Sequence, residues 1–196
     1  MIILKITAEP SPAQLDALAA TLLAGGVVLL PTDTIYGLHC VATNEAAAAR
    51  IAAMKGREEG KRFVVIAASV EQLLGYGAAV PEVLRSIWPA PLTAIVPQTG
   101  GTVAVRVPDL EWLRALLERT GPLISTSANR SGEPPIREPN DLAPDLQKSI
   151  DSALDAGPRE GEPSAIVDFT GNSPRLVREG EPTFTQFLRK TLRKSL

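Results

Sequence analysis

Between Gly25-Gly26 and Pro31 the chain runs Val27-Val28-Leu29-Leu30, an uninterrupted apolar stretch with β-branched residues. A strand with no polar face cannot lie against solvent on either side, so this segment predicts a sheet covered on both faces. The covering layers have to come from helices, and their ends are marked. Ser11-Pro12 supplies an N-cap and a first-turn proline for a helix running to Leu23, which Gly25-Gly26 stop. Asn44 caps an alanine-rich helix to about Met54, and Asp109 caps another that ends near Thr120 before Gly121-Pro122.

Further strands are predicted over residues 2–6, 63–67, 92–96, 103–107, 123–126, 150–154, 164–169 and 175–178. Short helices are predicted over 70–74 and 81–88, and a terminal helix from about residue 183. Residues 128–140, rich in Gly, Pro, Ser and Asn, read as a long loop of the kind that carries function. Strands alternate with helices, yet several strand pairs have connections too short for a helical crossover, so the class is α/β with a mixed sheet. No repeat or linker divides the chain, and 1–196 reads as a single domain.

Several classes are excluded by composition. The longest apolar runs fall far short of the roughly 20 residues of a membrane-spanning helix. In the first seven residues Lys5 sits inside a short alternating strand, with no charged leader or small-residue cleavage site, so a cytoplasmic location and no membrane partner are expected. The single cysteine, Cys40, has no internal disulfide partner, and with the single histidine, His39, leaves too few soft ligands for a structural zinc site. Both read as core or lining residues, as does Trp88. A formal net charge of -2 argues against nucleic-acid binding through bulk charge, so any anion site must be local.

Two polar motifs offer such a site. Lys55-Gly56-Arg57 and Ser127-Ala128-Asn129 each stand where a hydrophobic element gives way to a loop, and two cations facing a hydroxyl and an amide suit a polyphosphate. The segment 56–62 is not a P-loop: three residues rather than four separate its glycines, it ends in Arg62, and it precedes a strand instead of opening a helix. No Gly-x-Ser-x-Gly elbow is present, and a lone histidine disfavours a hydrolase triad. Lys55, Arg57, Lys61 and Arg62 alone fit equally a solvated helix end balanced by Glu58 and Glu59. Arg106, on the alternating strand Thr102-Val103-Ala104-Val105-Arg106, adds a further cation to the set. Unit charges about 4 Å apart interact by about 4 kcal/mol at an effective dielectric near 20, enough for convergent cations to hold a triphosphate.

With Pro31-Thr32-Asp33-Thr34-Ile35-Tyr36-Gly37-Leu38, Trp88-Pro89-Ala90-Pro91-Leu92-Thr93, Val105-Arg106-Val107-Pro108, Ser125-Thr126-Ser127-Ala128-Asn129-Arg130-Ser131-Gly132, Ser164-Ala165-Ile166-Val167-Asp168 and Leu176-Val177-Arg178-Glu179-Gly180, the chain resembles the YrdC-like threonylcarbamoyl-AMP synthase family from about residue 10 to 180. The resemblance implies a twisted mixed sheet flanked by helices around a large concave cleft, without the extra C-terminal domain of longer members. It implies conversion of ATP, L-threonine and bicarbonate to threonylcarbamoyl-adenylate and pyrophosphate, with Mg2+ carried on the triphosphate and no dedicated protein metal site. The product then feeds a downstream tRNA threonylcarbamoyl-transferase complex that forms threonylcarbamoyladenosine.

By the same resemblance, Lys55 and Arg57 are the catalytic cations and Lys61 joins them at the phosphates, while Thr102, Ser127, Asn129 and Arg178 hold the nucleotide. Thr32, Thr34, Tyr36, Arg106, Ser125 and Ser164 line the threonine pocket, Arg106 facing the carboxylate. An anionic carbamate attacking an anionic α-phosphate needs fixed cations against the repulsion and donors to hold the attack geometry. Simpler roles exist: Thr32 and Thr34 shaping a turn, Ser127 and Asn129 capping loop backbone, Arg178 as a surface residue. This chain departs from the family at Glu58, where many members have Pro, at Ile66, where some have His, at Ala90 for a frequent Gly, and at Asp33 for a frequent Glu. A divergent paralogue forming another carbamoyl-adenylate is one alternative. Another is a non-catalytic RNA-binding module, which the net charge of -2 does not encourage and to which Arg189, Lys190, Arg193 and Lys194, read as a solvated face, add little.

Overall fold

The computed structural model describes residues 2–56 and 63–192. In chain order its regular elements are β1 (Ile2–Lys5), α1 (Pro12–Leu23), β2 (Val28–Pro31), β3 (Tyr36–Val41), α2 (Glu45–Lys55), β4 (Val64–Ile66), α3 (Val70–Gly75), β5 (Leu92–Gln98), β6 (Gly101–Arg106), α4 (Glu111–Thr120), β7 (Leu123–Ser127), α5 (Pro144–Gln147), β8 (Ser152–Asp155), β9 (Ala165–Asp168), β10 (Arg175–Arg178) and α6 (Pro182–Leu192). Among the described residues no helix is long and apolar enough to cross a membrane.

The ten strands form one mixed sheet in the order β1-β8-β2-β3-β7-β4-β6-β5-β9-β10. β2 is buried at every residue, as its unbroken apolar run requires. Pairing is parallel at β1/β8, β2/β8, β4/β6 and β5/β9 and antiparallel elsewhere.

Alternation along the strands gives the sheet two different faces. One carries Leu29, Leu38, Cys40, Val65, Val105 and Ile124 and is covered along its length by two apolar clusters that include Ile51 of α2, Leu73 of α3 and Leu188 of α6. The other carries Val28, Leu30, Ile66 and Leu123, packed against Leu18 and Leu22 of α1 and Leu113, Leu116 and Leu117 of α4. Burying each such leucine stabilises the fold by roughly 1.5–3 kcal/mol. The α1–α4 layer covers only part of this second face, and what it leaves open becomes the cleft.

Two helix starts follow the sequence closely. Ser11 Oγ accepts from Gln14 N at 3.3 Å and Gln14 Oε1 accepts from Ser11 N at 2.9 Å, closing a capping box ahead of Pro12. Asn44 Oδ1 accepts from Ala47 N at 3.0 Å at the start of α2.

Other expectations are corrected. Asp109 does not cap α4: Leu110 holds that position without a side-chain bond, and Asp109 N donates instead to Asp33 Oδ2 at 2.9 Å. The helix expected over 81–88 is a 3-10 turn at Glu82–Ser86. The strand β3 was not anticipated, because residues 31–38 read as one polar motif. In the structure the motif is a hairpin turn, with Thr32–Ile35 linking β2 to β3. A short helix, α5, and a 3-10 turn at Pro139–Asp141 also punctuate the stretch expected to be loop and strand approach.

Candidate active-site cleft

The open part of the second face forms a cleft of about 450 Å³, within the range of small-molecule sites. Its floor is built from neighbouring strands in register: Ser125 of β7 lies opposite Val64 of β4, and Val64 opposite Ala104 of β6. Ile95 of β5 faces Ala104, and Thr93 faces Ile166 of β9. The walls carry Thr32, Thr34, Arg106, Ser127, Asn129, Ser164 and Arg178. An apolar floor ringed by hydroxyls, an amide and two guanidinium groups suits a polar, anionic ligand with an apolar portion.

Arg106 is 6% exposed. Its Nη1 donates to Thr34 Oγ1 at 3.1 Å. Asp33 Oδ1 lies 2.6 Å from its Nη2, a charge contact without hydrogen-bond alignment, because neither atom has a hydrogen-bond partner among the described residues. Nε likewise makes no hydrogen bond among the described residues, and Asp33 already opposes the charge of the head group.

Thr32 does the work of a turn. Its Oγ1 accepts from Thr34 N at 3.1 Å and Ile35 N at 3.3 Å, and its proton goes to the Ile35 carbonyl at 2.8 Å. The two hydroxyls meet at 2.9 Å, so the turn also places Thr34 Oγ1, the acceptor from Arg106 Nη1.

Tyr36, expected in the threonine pocket, is among the residues that line the cleft, while its ring packs into the core of the opposite face. Its hydroxyl donates to Gly157 O at 2.9 Å and accepts from Ala156 N at 2.9 Å, anchoring the segment that leads from β8 towards Ser164. That segment then passes so close to the turn that a Cβ at Gly161 would lie 2.1 Å from the Thr34 carbonyl oxygen. Burial is the main cause that raises the Tyr36 pKa, only partly offset by the Ala156 amide.

On the far wall, Arg178 donates to Ser164 O from Nε at 3.1 Å and from Nη2 at 2.8 Å. The residue is exposed overall, but desolvation where its head is seated, reinforced by the charge of Arg106, lowers its pKa. Ser164 Oγ meets Thr93 Oγ1 at 2.8 Å. Thr93 escaped the sequence reading, although its place in the alternating strand 92–96 put it on the face away from Leu92 and Ala94.

Lys55 is 3% exposed, and its ammonium reaches the other polar motif directly. Nζ donates to Ser127 O at 2.6 Å, to Asn129 O at 2.6 Å and to Asn129 Oδ1 at 3.0 Å. Ser127 Oγ also donates to Asn129 Oδ1 at 2.5 Å, and Asn129 Nδ2 donates to the Glu133 carbonyl. The two motifs are thus one bonded unit, with Lys55 behind the loop wall. Arg57 and Lys61 lie outside the described residues. Thr102 shares a strand face with Ala104 and Arg106 but is exposed at the hairpin end of β6, beyond the cleft lining.

His39 is fully buried next to the floor, its Nε2 3.1 Å from Ser125 Oγ. Burial pushes its pKa down to about 4; the backbone of Gly37 and Val28, as hydrogen-bond partners of the ring, acts in the opposite sense, and Arg106 adds to the lowering. A folded-state pKa below the unfolded value of about 6.5 means that the neutral ring contributes stability above that pH and loses it as pH falls towards 4, about 3 kcal/mol in all. Urea unfolding of wild type should therefore lose about 3 kcal/mol more between pH 7 and pH 4 than unfolding of His39→Leu. Equal pH dependence in the two proteins would show that the ring is not held neutral.

A large mixed sheet flanked by helices, with an arginine-flanked cleft of small-molecule size on one face, defines the class as α/β. The chain belongs to the Sua5/YciO/YrdC family, whose family model, described as "Telomere recombination", matches residues 20–180. It is 38% identical over 167 residues to the threonylcarbamoyl-AMP synthase of Alkalilimnicola ehrlichii, covering 76% of this chain and 88% of that one. The threonylcarbamoyl-AMP synthase of Pyrococcus abyssi is 36% identical over 172 residues, 80% of this chain and 51% of the relative. Among solved structures, P. abyssi Sua5 complexed with L-threonine superposes with a TM-score of 0.84 at 31% identity, over 92% of this chain and 58% of that one. The chain spans little more than half the length of that archaeal protein.

Proposed function

We propose that this protein is a threonylcarbamoyl-AMP synthase. The amine of L-threonine combines with bicarbonate, losing water, to give a carbamate; a carbamate oxygen then attacks the α-phosphorus of ATP, and the bond to pyrophosphate breaks. The observation that carries the reading is the Arg106 guanidinium among the residues lining the cleft, held by Thr34 and Asp33, as the cation placed to meet the carboxylate of an amino acid. Thr34 and Ser164 beside it are assigned to the polar groups of threonine, and Ala104, Ile95 and Ile166 to apolar contacts.

The nucleotide occupies the other end, with Ser127, Asn129 and Arg178 as its walls. Arg57 and Lys61 meet the phosphates, and Lys55 acts through the loop to which it is bonded. Magnesium enters with ATP as part of the substrate. The product is passed to a downstream tRNA threonylcarbamoyl-transferase complex in a cytoplasmic setting.

Purified protein given ATP, L-threonine and bicarbonate is expected to release pyrophosphate only when all three are present. Release with another amine in place of threonine would assign a different carbamoyl-adenylate, and steeply salt-sensitive tRNA binding without nucleotide binding would assign an RNA-binding module.

A further inference from the structure

Only residues 156–164 connect β8 to β9, yet six strands stand between the two in the sheet. This strap has to travel across the molecule, and it is tied down along the way. At its start the Tyr36 hydroxyl donates to Gly157 O and accepts from Ala156 N, both at 2.9 Å. Further on, Arg159 N donates to Arg137 O at 2.8 Å, and Glu160 pairs with the Arg137 guanidinium. At its end Ser164 O accepts from Arg178, and Ser164 Oγ meets Thr93 Oγ1.

Between the last two ties stands Gly161. A Cβ there would lie 2.1 Å from Thr34 O and 3.0 Å from Thr34 C, backbone atoms that cannot swing aside as the end of a side chain can. Gly161 is not one of the glycines with positive φ, so its backbone suits any residue and only the close approach demands glycine. The other side of the contact is equally fixed. Thr32 Oγ1 bonds across the turn, Asp33 reaches Arg106 and Asp109 N, and Thr34 Oγ1 accepts from Arg106 Nη1. An added methyl group has to bow the strap outward or push the Thr34 backbone inward, and the second movement shifts Thr34 Oγ1 relative to Arg106.

We infer that Gly161 is a positioning residue. Having no side chain, it lets the strap brace the Thr34 turn and so sets the spacing between two walls of the amino-acid end of the cleft, Thr34 with Arg106 on one and Pro163 with Ser164 on the other. This rests on the threonine reading of the cleft. Pro163 and Ser164 line the cleft just beyond the brace, so a displacement at Gly161 is carried directly to them. The nucleotide end has its own support in the bonds of Lys55 to Ser127 and Asn129, which are made without Gly161.

Gly161→Ala should raise KM for threonine about tenfold and weaken L-threonine binding, read by calorimetry without nucleotide, by the same factor, while KM for ATP stays within about twofold. Gly121→Ala is the comparison. Gly121 ends α4 with a φ of +77°, so alanine strains the backbone there, but a Cβ at that point meets nothing within 4 Å. It should lower the melting temperature and leave both KM values within about twofold. A threonine KM that rises equally in Gly121→Ala, or that follows melting temperature for both substrates alike, would make Gly161 a matter of stability only and overturn the inference. Where Gly161→Ala does not fold, Tyr36→Phe carries the test, because it keeps the ring and removes both bonds at the start of the strap. KM for threonine should then rise about threefold with KM for ATP unchanged, and an unchanged threonine KM overturns the inference. Wild type that neither binds threonine nor releases pyrophosphate with it would overturn the substrate reading instead, and the inference with it.

Discussion

Arg106→Ala is expected to reduce threonine-dependent pyrophosphate release at least 100-fold and to lower the melting temperature on the order of 10 °C. Both effects come from one guanidinium. Its removal takes away the cation assigned to the ligand carboxylate, and it leaves Asp33, side chain 8% exposed, as a buried carboxylate whose charge partner is gone. Truncating one member of a buried pair costs about 3–5 kcal/mol, and for a chain of this size each kcal/mol moves the midpoint by about 2–4 °C. The double variant Asp33→Asn/Arg106→Ala separates the two roles. Melting should recover, since the neutral amide brings no orphan charge and its oxygen can still accept from Asp109 N, whereas activity should not. If activity returned with stability, Arg106 would serve the fold and the carboxylate assignment would fall.

The parts of this cleft that were legible in the sequence are those fixed by local chemistry. Ser11 and Asn44 announce helix starts because a short polar side chain can bond only the amides just ahead of it. Lys55 and the Ser127-Ala128-Asn129 motif read as neighbours, and they are bonded. What stayed hidden depends on face and distance. Tyr36 and Gly37 are adjacent in one motif and both border the cleft, yet in β3 successive side chains point to opposite faces, so the tyrosine ring enters the core. Asp33 seemed a mere stand-in for glutamate; its two oxygens in fact tie the turn to Arg106 and to the amide of Asp109, and no local pattern encodes a contact between residues so far apart. Thr93 was passed over for the same reason, since it gains its role only from a partner on another strand.

Lys55→Met is expected to lower both stability and nucleotide use, and the combination distinguishes a clamp from a phosphate ligand. In the structure the ammonium holds the Ser127 and Asn129 carbonyls and the Asn129 amide oxygen. The Lys55 carbonyl also accepts from Ser131 N at 3.0 Å, so backbone and side chain of one residue grip both ends of the turn. A hydrogen bond to a charged group contributes about 1.5–3 kcal/mol, and stripping the donor from buried carbonyls costs their desolvation besides. The net loss should be about 3 kcal/mol, a fall in melting temperature on the order of 10 °C. Without the clamp the loop carrying Ser127 and Asn129 is no longer preorganised, and KM for ATP should rise at least tenfold while KM for threonine changes little. A lysine that only met phosphate would behave differently: taking a buried cation away would leave the melting temperature of the free protein unchanged or higher, and the variant would lose just the stabilisation that added ATP confers. Calorimetric melting with and without ATP, run beside the two KM values, decides between them.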